Sequence, residues 1–238
     1  MRCPLSSLAS VRLGYPFRTR VVPDQQGETA LVQLSDLNGG VLDASSLVRV
    51  HLEKIREHFS LRPGDILLRA RSQVNDATYV ADLAIRPGVV RVVAAAPIVV
   101  VRLRPPKDKD NGLSGDVAGL DARYLHWLLN HPQTQAVLRA QSTGHNAEIL
   151  RKSDLEGLLV PVPPPAVRQL IVEAAGLLER ERQLRRQLLE ERYAMIQHRL
   201  LQHAETEETV REDGGTSLRT PRAAEVSEGQ TWARLEGI

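Results

Sequence analysis

Aromatic residues are scarce in this sequence, at two Trp, four Tyr and two Phe among 238 residues. A hydrophobic core must therefore be built mainly from Val, Leu and Ala. There is one cysteine, Cys3, so no disulfide forms within the chain, and a reducing, cytoplasmic setting fits. No run of about 18 apolar residues occurs, which excludes a membrane-spanning helix. The first residues, MRCPLSSLASVRLG, lack the continuous apolar stretch of a secretory signal.

Catalytic signatures are also lacking. No Gly-rich loop sits at a strand–helix junction to cradle a nucleotide or S-adenosylmethionine, and there is no Walker sequence. The seven His are scattered. Only His198 and His203 fall near one another on a helical stretch, five apart, and they read as solvated rather than metal-ligating. Asp65 and Asp82, near strand ends, are not followed by the acid-x-Lys of a nuclease core. The sequence therefore predicts a non-catalytic chain with no metal and no cofactor of its own.

What the sequence does contain is a long helical segment. Leu158 to Pro165 is a short apolar strand ending in a proline clamp (Pro161, Pro163, Pro164, Pro165), and nothing breaks a helix from there to His203. Proline at the first turn is tolerated because the N–H it lacks is unpaired there anyway. Leu170, Ala174, Leu177, Leu184, Leu188 and Met195 recur at helical spacing, and Leu178, Leu189 and Leu200 form a second row eleven residues apart. Glu181 and Arg185 stand at the supportive i,i+4 spacing. A helix of roughly 55 Å, at 1.5 Å per residue, is too long for a small domain to cover. Its apolar stripe calls for a second helix.

Ahead of this rod the pattern is shorter. Ser6 or Ser7 reads as a helix N-cap. Gly14-Tyr15-Pro16-Phe17-Arg18 places two of the few aromatics on a turn, as a plug at the core edge or as a base- or phosphate-facing loop. Gly27–Leu37 alternates as a strand with Ala30, Val32 and Leu34 on one face, broken by Asn38-Gly39-Gly40. Val48, Val50 and Leu52 alternate again. Pro63-Gly64 is the central pair of a type II turn before a buried strand Ile66–Leu68, and Pro87-Gly88 repeats the device. Val89–Val93 and Ile98–Leu103 read as strands joined by a bend at Ala94–Pro97. Turns at about ten-residue spacing predict an antiparallel, barrel-like sheet. Residues 105–119 form a polar loop. Asp121 caps a helix over Ala122–Leu129, Pro132 starts another over Gln133–Ala140, and Ser153 with Glu156 forms a capping box. The fold class predicted is α+β: a mixed, mainly antiparallel barrel-like sheet with short helices, then one long coiled-coil-forming helix.

The segment after His203 carries eight acidic and four basic residues, leaving 27 basic against 21 acidic before it, a net charge of +6. That suits a nucleic-acid partner. The predominance of Arg over Lys fits that reading and, equally, a GC-rich coding sequence. The tail itself, residues 204–238, reads as mostly disordered.

The succession Gly14-Tyr15-Pro16-Phe17-Arg18, Leu34-Ser35-Asp36-Leu37, Leu61-Arg62-Pro63-Gly64-Asp65-Ile66-Leu67-Leu68, Leu120 through Asn130, and Leu155 through Pro165 with Gln169 and the long helix resembles the target-recognition domain of the specificity subunit of type I restriction–modification systems. The resemblance covers nearly all of residues 5–203. It departs from the family at the glycine often found after the Ile66 strand, where Arg69-Ala70-Arg71-Ser72 stands.

The resemblance implies a DNA target-recognition domain over residues 1–163 and a conserved-region helix over 164–203 for dimerisation and partner docking; the tail over 204–238 matches nothing in the family. Whole subunits of the family carry two such units with their helices paired antiparallel. A single unit and no internal repeat are found here, so the resemblance is to a half-length form that pairs with its copy. Implied partners are double-stranded DNA, a DNA adenine methyltransferase subunit holding S-adenosylmethionine, and a restriction or motor subunit. Base reading needs Arg on guanine and Asn or Gln on adenine. The candidate contacts on loops at strand ends are Arg18, Arg20, Arg69, Arg71, Gln73, Asn75, Thr143, His145 and Asn146. The alternative is an interaction module that docks through its helix and binds DNA without sequence preference or not at all.

Overall fold

The computed structural model describes residues 1–17, 21–52, 55–70, 76–83, 87–105, 120–141 and 150–212. The chain divides into two units, Met1–Arg182 and Gln183–Ile238.

The first unit is α+β. In chain order it runs β1 (Arg2–Pro4), α1 (Leu5–Leu8), β2 (Ala9–Leu13), β3 (Thr29–Val32), β4 (Val48–Val50), β5 (Ile66–Arg69), β6 (Ala77–Tyr79), β7 (Arg91–Ala94), β8 (Ile98–Leu103), α2 (Ala122–Asn130), α3 (Pro132–Gln141), α4 (Lys152–Glu156) and β9 (Leu159–Pro161). Short 3-10 turns cover Leu34–Asp36 and Glu57–Phe59. The strands form three sheets: β1–β9, β2–β8–β5–β6, and β4–β3–β7. The pairings are antiparallel except β3 with β7, which run parallel, Thr29 opposite Arg91 and Val32 opposite Ala94. Isolated bridges (Tyr15 to Ala95, Val41 to Tyr79, Ser60 to Val93) add single pairings beyond these ladders. Among the described residues the ladders do not close into a barrel.

Why β5 and β8 read as unbroken apolar runs is now plain. Both are central strands and are buried on both faces. Ile66, Leu68, Val99 and Val101 face a core shared with α1 to α4 and the β1–β9 pair, where Leu125, Leu129, Leu138, Leu155 and Val160 pack. Leu67, Ile98 and Val100 face a second core with Ala30, Val32, Leu37, Leu61 and Val92. The Pro63-Gly64 turn leads into β5, and Gly64 has φ +91°, a conformation an L side chain rarely adopts. Asp121 caps α2 by accepting the Arg123 N–H at 2.8 Å.

Local chemistry overrides the sequence reading at several ends. Ser6 and Ser7 do not cap a helix. They lie inside α1, which follows directly from β1, and Ser7 Oγ donates to the Pro4 carbonyl at 2.7 Å. Ser153 and Glu156 do not form a capping box. The helix starts at Lys152, and the carboxylate that accepts the Arg151 N–H, at 3.2 Å, belongs to Asp154. The strand expected from Val89 starts at Arg91, because Val90 N–H turns to the Glu28 carbonyl and its side chain is exposed.

The long helix is α5, Pro165–Glu212. It continues nine residues past His203, so 204–212, expected as the start of a disordered tail, are helical. Residues 213–238 lie outside the described residues. Leu170, Leu177, Leu184, Leu188 and Met195 are exposed, as are Leu178, Leu189 and Leu200. Ala174, expected in the first row, is likewise exposed. No helix among the described residues is long and apolar enough to cross a membrane.

Candidate nucleic-acid interface

Most candidate contacts fall outside the described residues: Arg18, Arg20, Arg71, Gln73, Asn75, Thr143, His145 and Asn146. The points where the chain leaves the body toward them, and returns, are described.

Three of those points meet. Before Arg18, Gly14 N–H donates to the Ile98 carbonyl at 2.7 Å and Tyr15 N–H to the Ala94 carbonyl at 2.7 Å. Tyr15 in turn accepts from Ala96 N–H at 2.9 Å. Before Arg71, Ala70 N–H donates to the Pro97 carbonyl at 3.3 Å. After Asn146, Leu150 N–H donates to the Ala70 carbonyl at 2.8 Å. The Ala94–Ile98 bend, with a cis Ala96–Pro97 bond, is thus a hub that holds two of the loop roots directly, and the third, Leu150, is joined to it through Ala70. Gly14 is required there: a Cβ would lie 2.5 Å from the Ala94 carbonyl oxygen. Leu13, Ala70, Ala96, Pro97, Leu150, Arg151 and Lys152 line a shallow, mainly apolar cleft of about 600 Å³ beside the hub.

Arg69 is the one described candidate, at the end of β5. It is half-buried, and its Nη2 donates to the Leu37 carbonyl. Its guanidinium holds the turn that follows Leu37. Tyr15 and Phe17 form an edge-to-face chain with Phe59, centroids 5.0 and 5.2 Å apart, and both are half-buried. The three rings pack on one another and belong to neither core.

Two polar assemblies were not anticipated. Asp65 is fully buried. Its carboxylate accepts Arg102 Nε at 2.6 Å and Nη2 at 2.7 Å, and also the Arg62 N–H at 2.9 Å. Arg12 Nη2 stands 3.9 Å away. Burial, reinforced by the positive charge of Arg102, pulls the Arg12 guanidinium below its ordinary pKa, against the pull of Asp65. This is structural ion pairing, not a nuclease carboxylate. The only sequence signal was Asp at the last position of a turn, where it caps its own loop.

The second assembly lies on α2. Asn130 grips the main chain of one residue at both of its polar groups: Oδ1 accepts the Ala77 N–H at 2.8 Å and Nδ2 donates to the Ala77 carbonyl at 2.8 Å. Nδ2 also donates to the Gly39 carbonyl at 3.1 Å. One turn earlier, His126 Nε2 lies 2.9 Å from the Ala77 carbonyl and 3.2 Å from that of Gly39. Asn130 Nδ2 also stands 3.0 Å from this nitrogen; the two carbonyls, which only accept, favour the tautomer with the proton on Nε2. Burial lowers the His126 pKa, although the two carbonyls pull it upward. A His and an Asn at i,i+4 on an otherwise apolar helix face were the available signal.

No protein-family model matches the chain, and no curated protein does. Solved structures do match in fold. A chain from a structure of the type I R-M system, described for its complex assembly and conformational transition, has a TM-score of 0.51 and 15% identity over 76% of this chain and 38% of that one. The HsdS subunit from Thermoanaerobacter tengcongensis gives 0.47 and 16% over 76% and 37%. The type I restriction–modification S subunit from M. genitalium gives 0.46 and 12% over 76% and 39%. The chain spans less than two fifths of the length of each.

Proposed function

We propose that this chain carries one recognition unit of a specificity subunit of a type I restriction–modification system, a non-catalytic protein, and that this unit reads one half of a bipartite site in double-stranded DNA. Residues 1–163 form the recognition domain and 164–203 the pairing and docking helix. The observation that carries this reading is that the roots of three segments, those bearing Arg18 and Arg20, then Arg71, Gln73 and Asn75, then Thr143, His145 and Asn146, are joined by main-chain hydrogen bonds: Gly14 and Tyr15 to the Ala94–Ile98 bend, Ala70 to Pro97, and Leu150 to Ala70. The fold shared with a chain of a type I R-M structure supports it, as does the order of sequence segments set out above.

In this reading Arg69 shapes the site from behind, through Leu37, and the loop residues touch bases and phosphates. Two copies pair through the exposed rows of α5, with Leu170, Ala174, Leu177, Leu184, Leu188 and Met195 at the seam. The pair then reads two identical half-sites in inverted orientation. A methyltransferase subunit brings S-adenosylmethionine and modifies adenine, and a restriction or motor subunit joins that assembly.

Selection from a pool of random duplexes tests the function. The expected result is an enriched motif with a preference of at least about a thousandfold over random duplex. A chain that enriches no motif is a docking module, and the proposal fails. Leu184→Glu with Leu188→Glu tests the pairing. The double variant should scatter light as a folded monomer and lose the two-part motif; a mass at twice that of the chain would sink the helix as the seam.

A further inference from the structure

The 71–75 segment is held at its two ends by different means. At Ala70 the anchors are backbone groups, the Pro97 carbonyl and the Leu150 N–H. At Ala77, the second described residue after the segment, the anchors beyond the β5–β6 ladder are two side chains of α2, Asn130 and His126. The same two side chains hold the Gly39 carbonyl, and Thr78 Oγ1 accepts the N–H groups of Asn38 and Gly39 at 3.2 and 3.1 Å. The 37–40 turn, gripped at Leu37 by Arg69, is thereby tied to the start of β6 and to α2.

We infer that Asn130 and His126 are positioning residues for base discrimination: they fix the point at which the chain re-enters the body after Arg71, Gln73 and Asn75. The inference rests on the DNA-reading function proposed above. Its physical basis is a difference in tolerance. A bidentate hydrogen bond to a base edge fails when the donor moves by about half an ångström or tilts by 10–20°. Attraction to phosphates is longer in range and survives such a shift. Asn130 fixes both distance and tilt, because a single amide engages the N–H and the C=O of the same residue. Loosening this anchor therefore costs discrimination before it costs affinity. His126 adds a second donor to each carbonyl, so its loss has the same direction and a smaller size.

The experiment uses the full chain and a pool of random 40-base-pair duplexes, with the bound fraction sequenced. The wild-type chain, Asn130→Ala, His126→Ala and His126→Gln are compared. Val92→Ala, a cut in the second core at a residue with no hydrogen bond to Asn130 or His126, serves as a control for lost stability. Asn130→Ala should lower the preference at part of the motif by about tenfold, within the span expected of one base contact. Its affinity for random duplex should stay within about twofold. His126→Ala should do the same more weakly, and His126→Gln, which returns a donor near the position of Nε2, should recover the loss. If Asn130→Ala lacks a folded circular-dichroism spectrum, the His126 pair decides alone.

An unchanged motif in the folded variants overturns the positioning role while leaving the DNA-reading function intact. Equal loss in Val92→Ala overturns it too, by reducing the effect to stability. A wild-type chain that enriches nothing removes the underlying function and the inference with it.

Discussion

Leucine is treated in opposite ways in two regions of this molecule. In the body, Leu67, Leu68, Leu125, Leu129, Leu138 and Leu155 are wholly buried, whereas the leucines of α5 from Leu170 to Leu201 are between 49% and 73% exposed. Scattered exposed leucines are ordinary on protein surfaces, but rows of them along one helix are not. The body satisfies its apolar residues internally, with two cores stacked on either side of β5 and β8. The α5 rows have no such cover among the described residues. What differs is not hydrophobicity but cover, and substitutions should separate the two regions accordingly.

The sharpest break comes from within the body. Asp65→Ala leaves Arg102 and Arg12 without their carboxylate, both half-buried and Arg12 already disfavoured by its neighbour. Removing one partner of a buried pair costs about 3–5 kcal/mol, which urea unfolding should register as a large drop in midpoint. Next in size is a matched pair of leucine truncations. Leu68→Ala opens a cavity between β5 and α2 and should cost about 2–5 kcal/mol. Leu188→Ala, measured at a concentration where the chain is monomeric, should change stability by no more than about 0.5 kcal/mol. Equal losses at the two positions would erase the contrast between covered and uncovered leucine.

The smallest effect expected is a dependence on pH. Folding holds His126 below the pKa of about 6.5 that an unfolded histidine shows, so the unfolded chain binds more protons in the window just under that value. The contribution of a neutral His126 is complete above about pH 6.5 and is lost as pH falls toward the folded pKa. The urea midpoint of the wild-type chain should therefore fall more between pH 7.5 and 5 than that of His126→Gln. Parallel curves would mean that the imidazole takes up its proton without loosening the clamp.

Elements whose cause is local were legible in the sequence. The Pro63-Gly64 turn, the Asp121 cap, the proline start of α3 and the bounds of β8 follow from residues within a few positions of one another. Element type was harder where a distant partner decides it. Nothing near β3 announces that it pairs parallel to β7, about sixty residues later, and alternation alone suggested a strand with one solvated face rather than four buried residues. The α4 start was misplaced because the cap is Arg151 rather than Ser153: Asp154, three residues on, accepts the Arg151 N–H, and the helix begins two residues earlier than a Ser153 cap allows. At the candidate interface, loop identity could be guessed from strand ends and polar composition. The hub that gathers those loops could not, because it is made of peptide groups, which every sequence has. Arg69 likewise looked available, since its carbonyl acceptor on Leu37 leaves no mark in the residue pattern.

That hub has a further consequence. An anchor built from main-chain N–H and C=O groups does not depend on which side chains flank it. The attachments at Gly14, Tyr15, Ala70 and Leu150 remain available whatever residues are inserted between them, provided Gly14 stays small. The body can then act as a socket for exchangeable loops. Under the proposed function, new sequence preferences can be installed by rewriting short segments, with neither core and none of the nine strands among the described residues rebuilt.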